Sequence, residues 1–160
     1  MTMQKSESIE IDASSERVWS IAAGEFEHID RWASTVTRSE ALRTGDGPAA
    51  GRVCSTPQGK TTETLLEFDE AQRAFTYAIT GDAMPGFVAR ATNRWTIEPL
   101  GPDRSRLTMT VEMETRGVAG FVMGPMMRLG MGKLLRTNLE ELKHYIETGE
   151  QHERTRKSRR

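Results

Sequence analysis

From Thr35 to Thr115 the chain alternates polar and apolar residues in segments separated only by short turn signals, a spacing that few folds can accommodate. The segments are 36–43 before Gly45-Asp46-Gly47-Pro48, 51–56 before Pro57-Gln58-Gly59, 61–69, 74–80 before Gly81-Asp82, 88–98 before Gly101-Pro102-Asp103, and 106–115. A parallel crossover needs about a dozen residues or more, so gaps this short predict antiparallel neighbours. Residues 3–11 alternate too, with Met3, Lys5, Glu7, Ile9 and Ile11 on one face, bringing the expected total to about seven strands.

Helical periodicity appears only at the two ends. Ser14 or Ser15 caps a short helix over 16–23, ended by Gly24, and a second short helical piece covers 26–32. Near the C-terminus, Leu134, Leu135, Leu139, Leu142, Tyr145 and Ile146 recur at three- and four-residue steps before Gly149. The preceding stretch from Val118 carries Gly120, Gly124, Pro125, Gly130 and Gly132, which predict a softer first half with a kink near Pro125. The fold class is therefore α+β: a curved antiparallel sheet wrapped around a long C-terminal helix.

Faces follow where alternation is clean. Phe75, Tyr77 and Ile79 point one way, as do Leu107, Met109, Val111 and Met113, with polar residues between them. In 88–98 the inward set is Ala89, Ala91, Asn93, Trp95 and Ile97, so Asn93 is a polar residue facing in. The 61–69 segment is ambiguous, since Glu63, Leu65 and Glu67 alternate against Thr62, Thr64, Leu66 and Phe68.

Composition narrows the function classes. At 160 residues one domain is expected, over 1–149. Net charge is -1, which supplies no field for nucleic acid. After Gly149 five basic residues face two acidic ones and no apolar residue follows Ile146, so 150–160 reads as a basic, disordered tail. Cys54 is the single cysteine, in a strand without a flanking His, and reads as a buried inert thiol. The N-terminal residues lack the apolar run of a signal peptide and charges interrupt every long window, so a cytoplasmic protein without stable membrane insertion is expected. No His/Cys/Asp cluster has metal-ligand spacing, and no phosphate-binding loop is present. No cofactor is expected, and the chain is read as a monomer or homodimer.

Two stretches carry a family resemblance. Gly59…Glu63…Leu65…Phe68-Asp69…Arg73…Tyr77 and Asn138-Leu139-Glu140-Glu141-Leu142-Lys143…Tyr145-Ile146-Glu147, with the element order, resemble the polyketide cyclase/dehydrase-like branch of the START-like, helix-grip superfamily (SRPBCC). The likeness spans about residues 3–149 and implies a cavity between sheet and helix. Plant abscisic-acid receptors look similar locally, and that match implies that Glu63 and Leu65 face inward and that Asn138 is a pocket-facing amide, with Leu134 one turn earlier. Asp82-Ala83-Met84-Pro85-Gly86 does not spell their gate loop, so hormone reception is not carried over.

The resemblance implies a wall drawn from Trp32, Leu65, Tyr77, Ile79, Ala91, Trp95, Met109, Met127, Met131 and Leu134, with Glu63, Asn93 and Asn138 as polar points. The aromatics and methionines serve equally as ordinary core. Glu63 is the sharpest candidate: a carboxylate facing an apolar cavity can move protons, pair with an arginine or orient a ligand hydroxyl. Two functions stay open. One is a binding or carrier protein for a small hydrophobic or amphipathic molecule such as a lipid, isoprenoid or polyketide. The other is a cofactor-independent cyclase or dehydratase in which Glu63 and Tyr77 are catalytic.

Overall fold

A computed structural model describes residues 1–43, 45–46 and 49–160, so the expected turn at Gly45-Asp46-Gly47-Pro48 lies partly outside the described residues. The elements run β1 (Thr2–Ile11), α1 (Ser15–Ala22), a 3-10 helix (Phe26–Arg31), β2 (Arg38–Leu42), β3 (Gly51–Thr56), β4 (Gly59–Asp69), β5 (Ala74–Gly81), β6 (Val88–Gly101), β7 (Arg104–Thr115), α2 (Gly117–Thr148) and α3 (Glu153–Ser158). The strands form one seven-stranded sheet in the order β1-β7-β6-β5-β4-β3-β2, every pair antiparallel. This is the meander expected from the short turns, closed at one side by β1 pairing with β7. The concave face holds α2 and the two short helices, which is the helix-grip arrangement.

The ambiguity in 61–69 has a structural cause. β4 carries a bulge between Leu65 and Glu67, so the single residue Leu66 is inserted and the inward set changes parity. Thr61, Glu63 and Leu65 turn inward before the bulge, while Phe68 reaches the rings of Trp19 and Phe75 after it. Glu67 is left on the outer face against Arg94 and Thr76.

α2 continues unbroken through Pro125, where a kink was expected. The glycines that lowered its helix propensity serve a close approach instead. A Cβ on Gly120 would sit 2.6 Å from the Thr115 side chain, one on Gly124 would sit 2.8 Å from Met1 Cε, and one on Gly132 would sit 2.8 Å from Lys5 Cε. The helix lies on β1 and β7 because those positions have no side chain.

The C-terminal residues correct the expectation of a disordered tail. α3 folds back, and its Thr155 is fully buried with Oγ1 donating to the Trp32 carbonyl at 2.7 Å. Arg159 Nη2 donates to the carbonyls of Asp30 and Val36, each at 2.6 Å, and Gln151 donates to the Arg31 carbonyl at 2.7 Å. Arg154 reaches Glu140 and the fully buried Glu141 on α2. The segment lacks apolar residues, so it has no hydrophobic signal. It docks by giving donors to backbone carbonyls that the irregular stretch 30–36 leaves without partners.

Candidate functional site

Between the sheet and α2 lies a cavity of about 530 Å³. Its floor comes from β4 to β7 through Thr61, Glu63, Tyr77, Ile79, Asn93, Val111 and Met113, and its roof from Met131, Leu134, Leu135 and Asn138 of α2. Three loops form its rim: Ser34 to Val36, Thr56 to Gln58, and Ala83 with Met84.

Of the residues expected at the site, Glu63, Tyr77, Ile79, Asn93, Met131, Leu134 and Asn138 meet around this cavity. Trp32, Ala91, Trp95 and Met109 do not line it, being buried in the core beside it. Trp32 and Trp95 pack on each other with ring centroids 6.2 Å apart. Leu65 and Met127, also expected at the wall, are outside the lining and partly buried against the same core. Val111 and Met113 were legible as inward residues of their strand, whereas the rim loops carried no periodic signal.

Glu63 is not alone. Arg52 lies directly opposite it on β3, and Gly51 lets the two strands close at that point, since a Cβ there would meet the Glu63 carbonyl oxygen at 2.1 Å. Arg52 Nε donates to Glu63 Oε2 at 2.5 Å, and Nη2 sits 2.5 Å from the same oxygen. Nη1 donates to the Phe26 carbonyl at 2.5 Å, and the guanidinium carbon lies 3.9 Å from the Phe26 ring centroid. The Tyr77 ring is on another side, 5.2 Å away. Burial is the largest single influence and opposes the charge of Arg52, but its neighbours, the Glu63 carboxylate foremost, together raise the guanidinium pKa. Arg52 does not line the cavity. It neutralises Glu63 from outside the lining, leaving Glu63 Oε1 without a protein partner among the described residues. Sequence reasoning passed over Arg52, although it shares a face of its strand with the buried Cys54 two residues on.

The remaining polar points are only half satisfied. Asn93 Nδ2 donates to Tyr77 Oη at 3.0 Å, and Asn93 Oδ1 is buried without a partner among the described residues. Burial, then the Glu63 charge, pushes the Tyr77 phenol well above its ordinary range, with Arg52 only partly offsetting them. Tyr77 is therefore a neutral hydroxyl in this site. Asn138 Oδ1 accepts from Thr35 Oγ1 at 3.2 Å, and Ser34 is held by Glu141 through its amide at 2.8 Å and its hydroxyl at 2.6 Å. The rim loop is thus fastened to α2 at two successive residues.

Cys54 is fully buried, and burial followed by the Glu63 charge raises its thiol from 9.0 to about 11. The folded protein keeps this proton more tightly than the unfolded chain. The corresponding stabilisation is complete below pH 9.0 and disappears as pH rises through about 11. Iodoacetamide at neutral pH is expected to leave Cys54 unmodified in the folded protein and to alkylate it in urea; rapid labelling without denaturant would contradict its burial. Among the described residues no His, Cys, Asp and Glu group could hold a metal ion.

A sheet gripping one long helix around a mainly apolar cavity defines a START-like, helix-grip fold. The sequence matches the family described as "Polyketide cyclase / dehydrase and lipid transport" over residues 3–147, and the chain belongs to it. No curated protein matches the sequence. Among solved structures it is similar to a START superfamily protein from Mycobacterium smegmatis, at 21% identity and a TM-score of 0.72 over 90% of this chain and 97% of that one. It is similar to the Zhui aromatase/cyclase from a Streptomyces species, at 17% identity and a TM-score of 0.65 over 93% and 98% of the two chains. Norcoclaurine synthase from Thalictrum flavum, in complex with dopamine and hydroxybenzaldehyde, aligns at 15% identity and a TM-score of 0.66 over 89% and 86%. Family membership supports a ligand-binding or cyclase role. Among the described residues no helix is long and apolar enough to cross a membrane.

Proposed function

We propose that this chain is a binding or carrier protein for one small hydrophobic or amphipathic molecule, of lipid, isoprenoid or polyketide-like character, held between the sheet and α2. The observation that carries this reading is the cavity of about 530 Å³, whose mainly apolar lining is interrupted by Glu63, Tyr77, Asn93 and Asn138. A volume of this order suits a small organic ligand, and a few fixed polar groups in an apolar wall orient such a ligand. Glu63 Oε1 can accept from a hydroxyl, and the unpartnered Asn93 Oδ1 offers a second acceptor. A ligand with an apolar body and a hydroxyl at one end fits that pairing. The pairing of Glu63 with Arg52 favours holding over transforming, because the carboxylate oxygen facing Arg52 is already occupied.

The cyclase or dehydratase reading has one observation in its favour. The Tyr77 hydroxyl and the Asn93 amide meet at 3.0 Å and sit across the same cavity from Asn138, an arrangement able to polarise a carbonyl on a bound chain. Glu63→Gln separates the two readings. In variant protein shown by its unfolding curve to remain folded, carrier function predicts retained binding with, at most, a modest loss from one hydrogen bond, about a few-fold to tenfold. The enzyme reading predicts retained binding with loss of turnover of a polyketide substrate. Asn93→Leu is expected to weaken an alcohol-bearing ligand more than its hydrocarbon analogue, measured by calorimetric titration of both; equal weakening would remove Asn93 from ligand recognition.

A further inference from the structure

The first half of α2 rests on the sheet edge through its glycines and turns its large apolar side chains to solvent. Between Gly117 and Gly130 only Gly120 and Gly124 are buried, while Val118, Phe121, Val122, Met126 and Leu129 are exposed by 60 to 79%. They recur at three- and four-residue steps with the exposed Pro125, so they form one apolar stripe along the helix. Isolated surface apolar residues are ordinary, but a continuous stripe of this kind marks an interaction surface.

Charge identifies what covers it. From Thr115 to Leu139 the chain contains no Asp or Glu but four cations, Arg116, Arg128, Lys133 and Arg136, in a protein whose net charge is -1. Elsewhere many arginines are matched by carboxylates, as in Arg94 with Glu67, Arg104 with Glu10 and Arg106 with Glu98. Here Arg116, Arg128 and Lys133 have no carboxylate partner among the described residues, and only Arg136 meets one, Glu7 at 3.2 Å. Arg128 also borders a groove between β1 and α2, alongside Met1, Met3, Pro125 and Leu129. The helix that carries the stripe also reaches the cavity. Arg116 N donates to the Phe87 carbonyl at 2.9 Å, which sets the helix start beside the loop whose Met84 is on the cavity rim. Leu134, at the other end, is 46% exposed and lines the cavity.

We propose that the first half of α2 docks the protein on an anionic lipid surface, with Val118, Phe121, Val122, Met126 and Leu129 entering the headgroup boundary and Arg116, Arg128 and Lys133 meeting lipid phosphates. Apolar side chains flanked by basic ones and free of carboxylates are the chemistry of a helix lying in the membrane interface. A second copy is the poorer occupant. A two-fold contact of this stripe with itself would face cations with cations and supply no carboxylate.

Sedimentation with vesicles tests this directly, using phosphatidylcholine alone and phosphatidylcholine mixed equally with phosphatidylglycerol. The protein is expected to pellet with the anionic vesicles, to remain in solution with the neutral ones and to be released by salt. Arg128→Glu and Lys133→Glu are each expected to weaken binding by about fivefold or more. The pair Phe121→Asp with Leu129→Asp abolishes it, with an unchanged thermal midpoint because both side chains are exposed. Absence of binding to anionic vesicles, or binding that these variants leave intact, overturns the proposal. So does a sedimentation-velocity dimer that Phe121→Asp and Leu129→Asp convert to monomer, which would assign the stripe to a second copy.

Discussion

Replacing Arg52 with methionine is expected to destabilise the fold by about 3–5 kcal/mol in urea unfolding, the usual loss when one member of a buried ion pair is removed. The guanidinium is 1% exposed, and its loss strands two groups at once: the Glu63 carboxylate and the Phe26 carbonyl. The stacking of Arg52 on the Phe26 ring, with Tyr77 nearby, goes with it. Methionine fills much of the same volume, so the loss is electrostatic rather than a cavity effect. Arg52→Met combined with Glu63→Leu is expected to recover most of the stability, because the two substitutions remove both charges together. A single variant that costs no more than a surface change, roughly 0.5 kcal/mol, would show that the pair is open to water.

Removal of residues 150–160 is the second large effect. Polar tails usually come off without consequence, but here the deletion leaves the carbonyls of Asp30, Trp32 and Val36 without donors and takes Arg154 from the buried Glu141. Several buried or half-buried hydrogen bonds at about 0.5–1.5 kcal/mol each, with more for those to charged groups, predict a loss of roughly 3 kcal/mol or more. The effect reaches the site, because the released backbone includes Ser34, Thr35 and Val36 on the cavity rim. A truncated protein should therefore bind a fluorescent fatty acid more weakly than the full chain as well as melt earlier. Retention of the full thermal midpoint would mean that α3 is not docked in solution.

The architecture was legible because it rests on local patterns. Short turns required antiparallel strands, and alternation selected the inward faces of β5, β7 and β6 from Ala91 onward, whereas Ala89, expected inward, is exposed at a bulge between Val88 and Arg90. The polar points Glu63, Asn93 and Asn138 were legible too, as polar residues on otherwise apolar faces or through the family likeness. What escaped depends on contacts between distant elements. Trp95 and Met109 have the same alternation as residues on the cavity wall, and only the path of α2 across the sheet decides which layer is core and which is void. The bulge at Leu66 hid the parity of β4. The role of Arg52 depends on the β3–β4 register, and its burial contradicts the ordinary preference of arginine for the surface. α3 escaped for another reason: its docking uses side-chain donors on backbone acceptors, which leave no periodic trace in hydropathy.

The likeness to known enzymes informs the fold more than the reaction. A START-like sheet and helix accommodate a pocket whatever its chemistry, and function resides in the few polar groups that line it. In this chain the carboxylate of that set is paired with Arg52 and the phenol is held neutral by burial. Those two facts support the proposed carrier reading.

The most direct test is stoichiometric binding of a fluorescent fatty acid, followed by titration in the wild type and in Ile79→Trp. Ile79 is a wall residue on β5 at the cavity, and an indole there occupies the space the ligand needs. Saturable binding by the wild type, lost in Ile79→Trp while the variant keeps its cooperative unfolding, is the predicted result. Equal binding by both proteins would place the probe elsewhere and contradict the assignment of the space between sheet and helix as the ligand site.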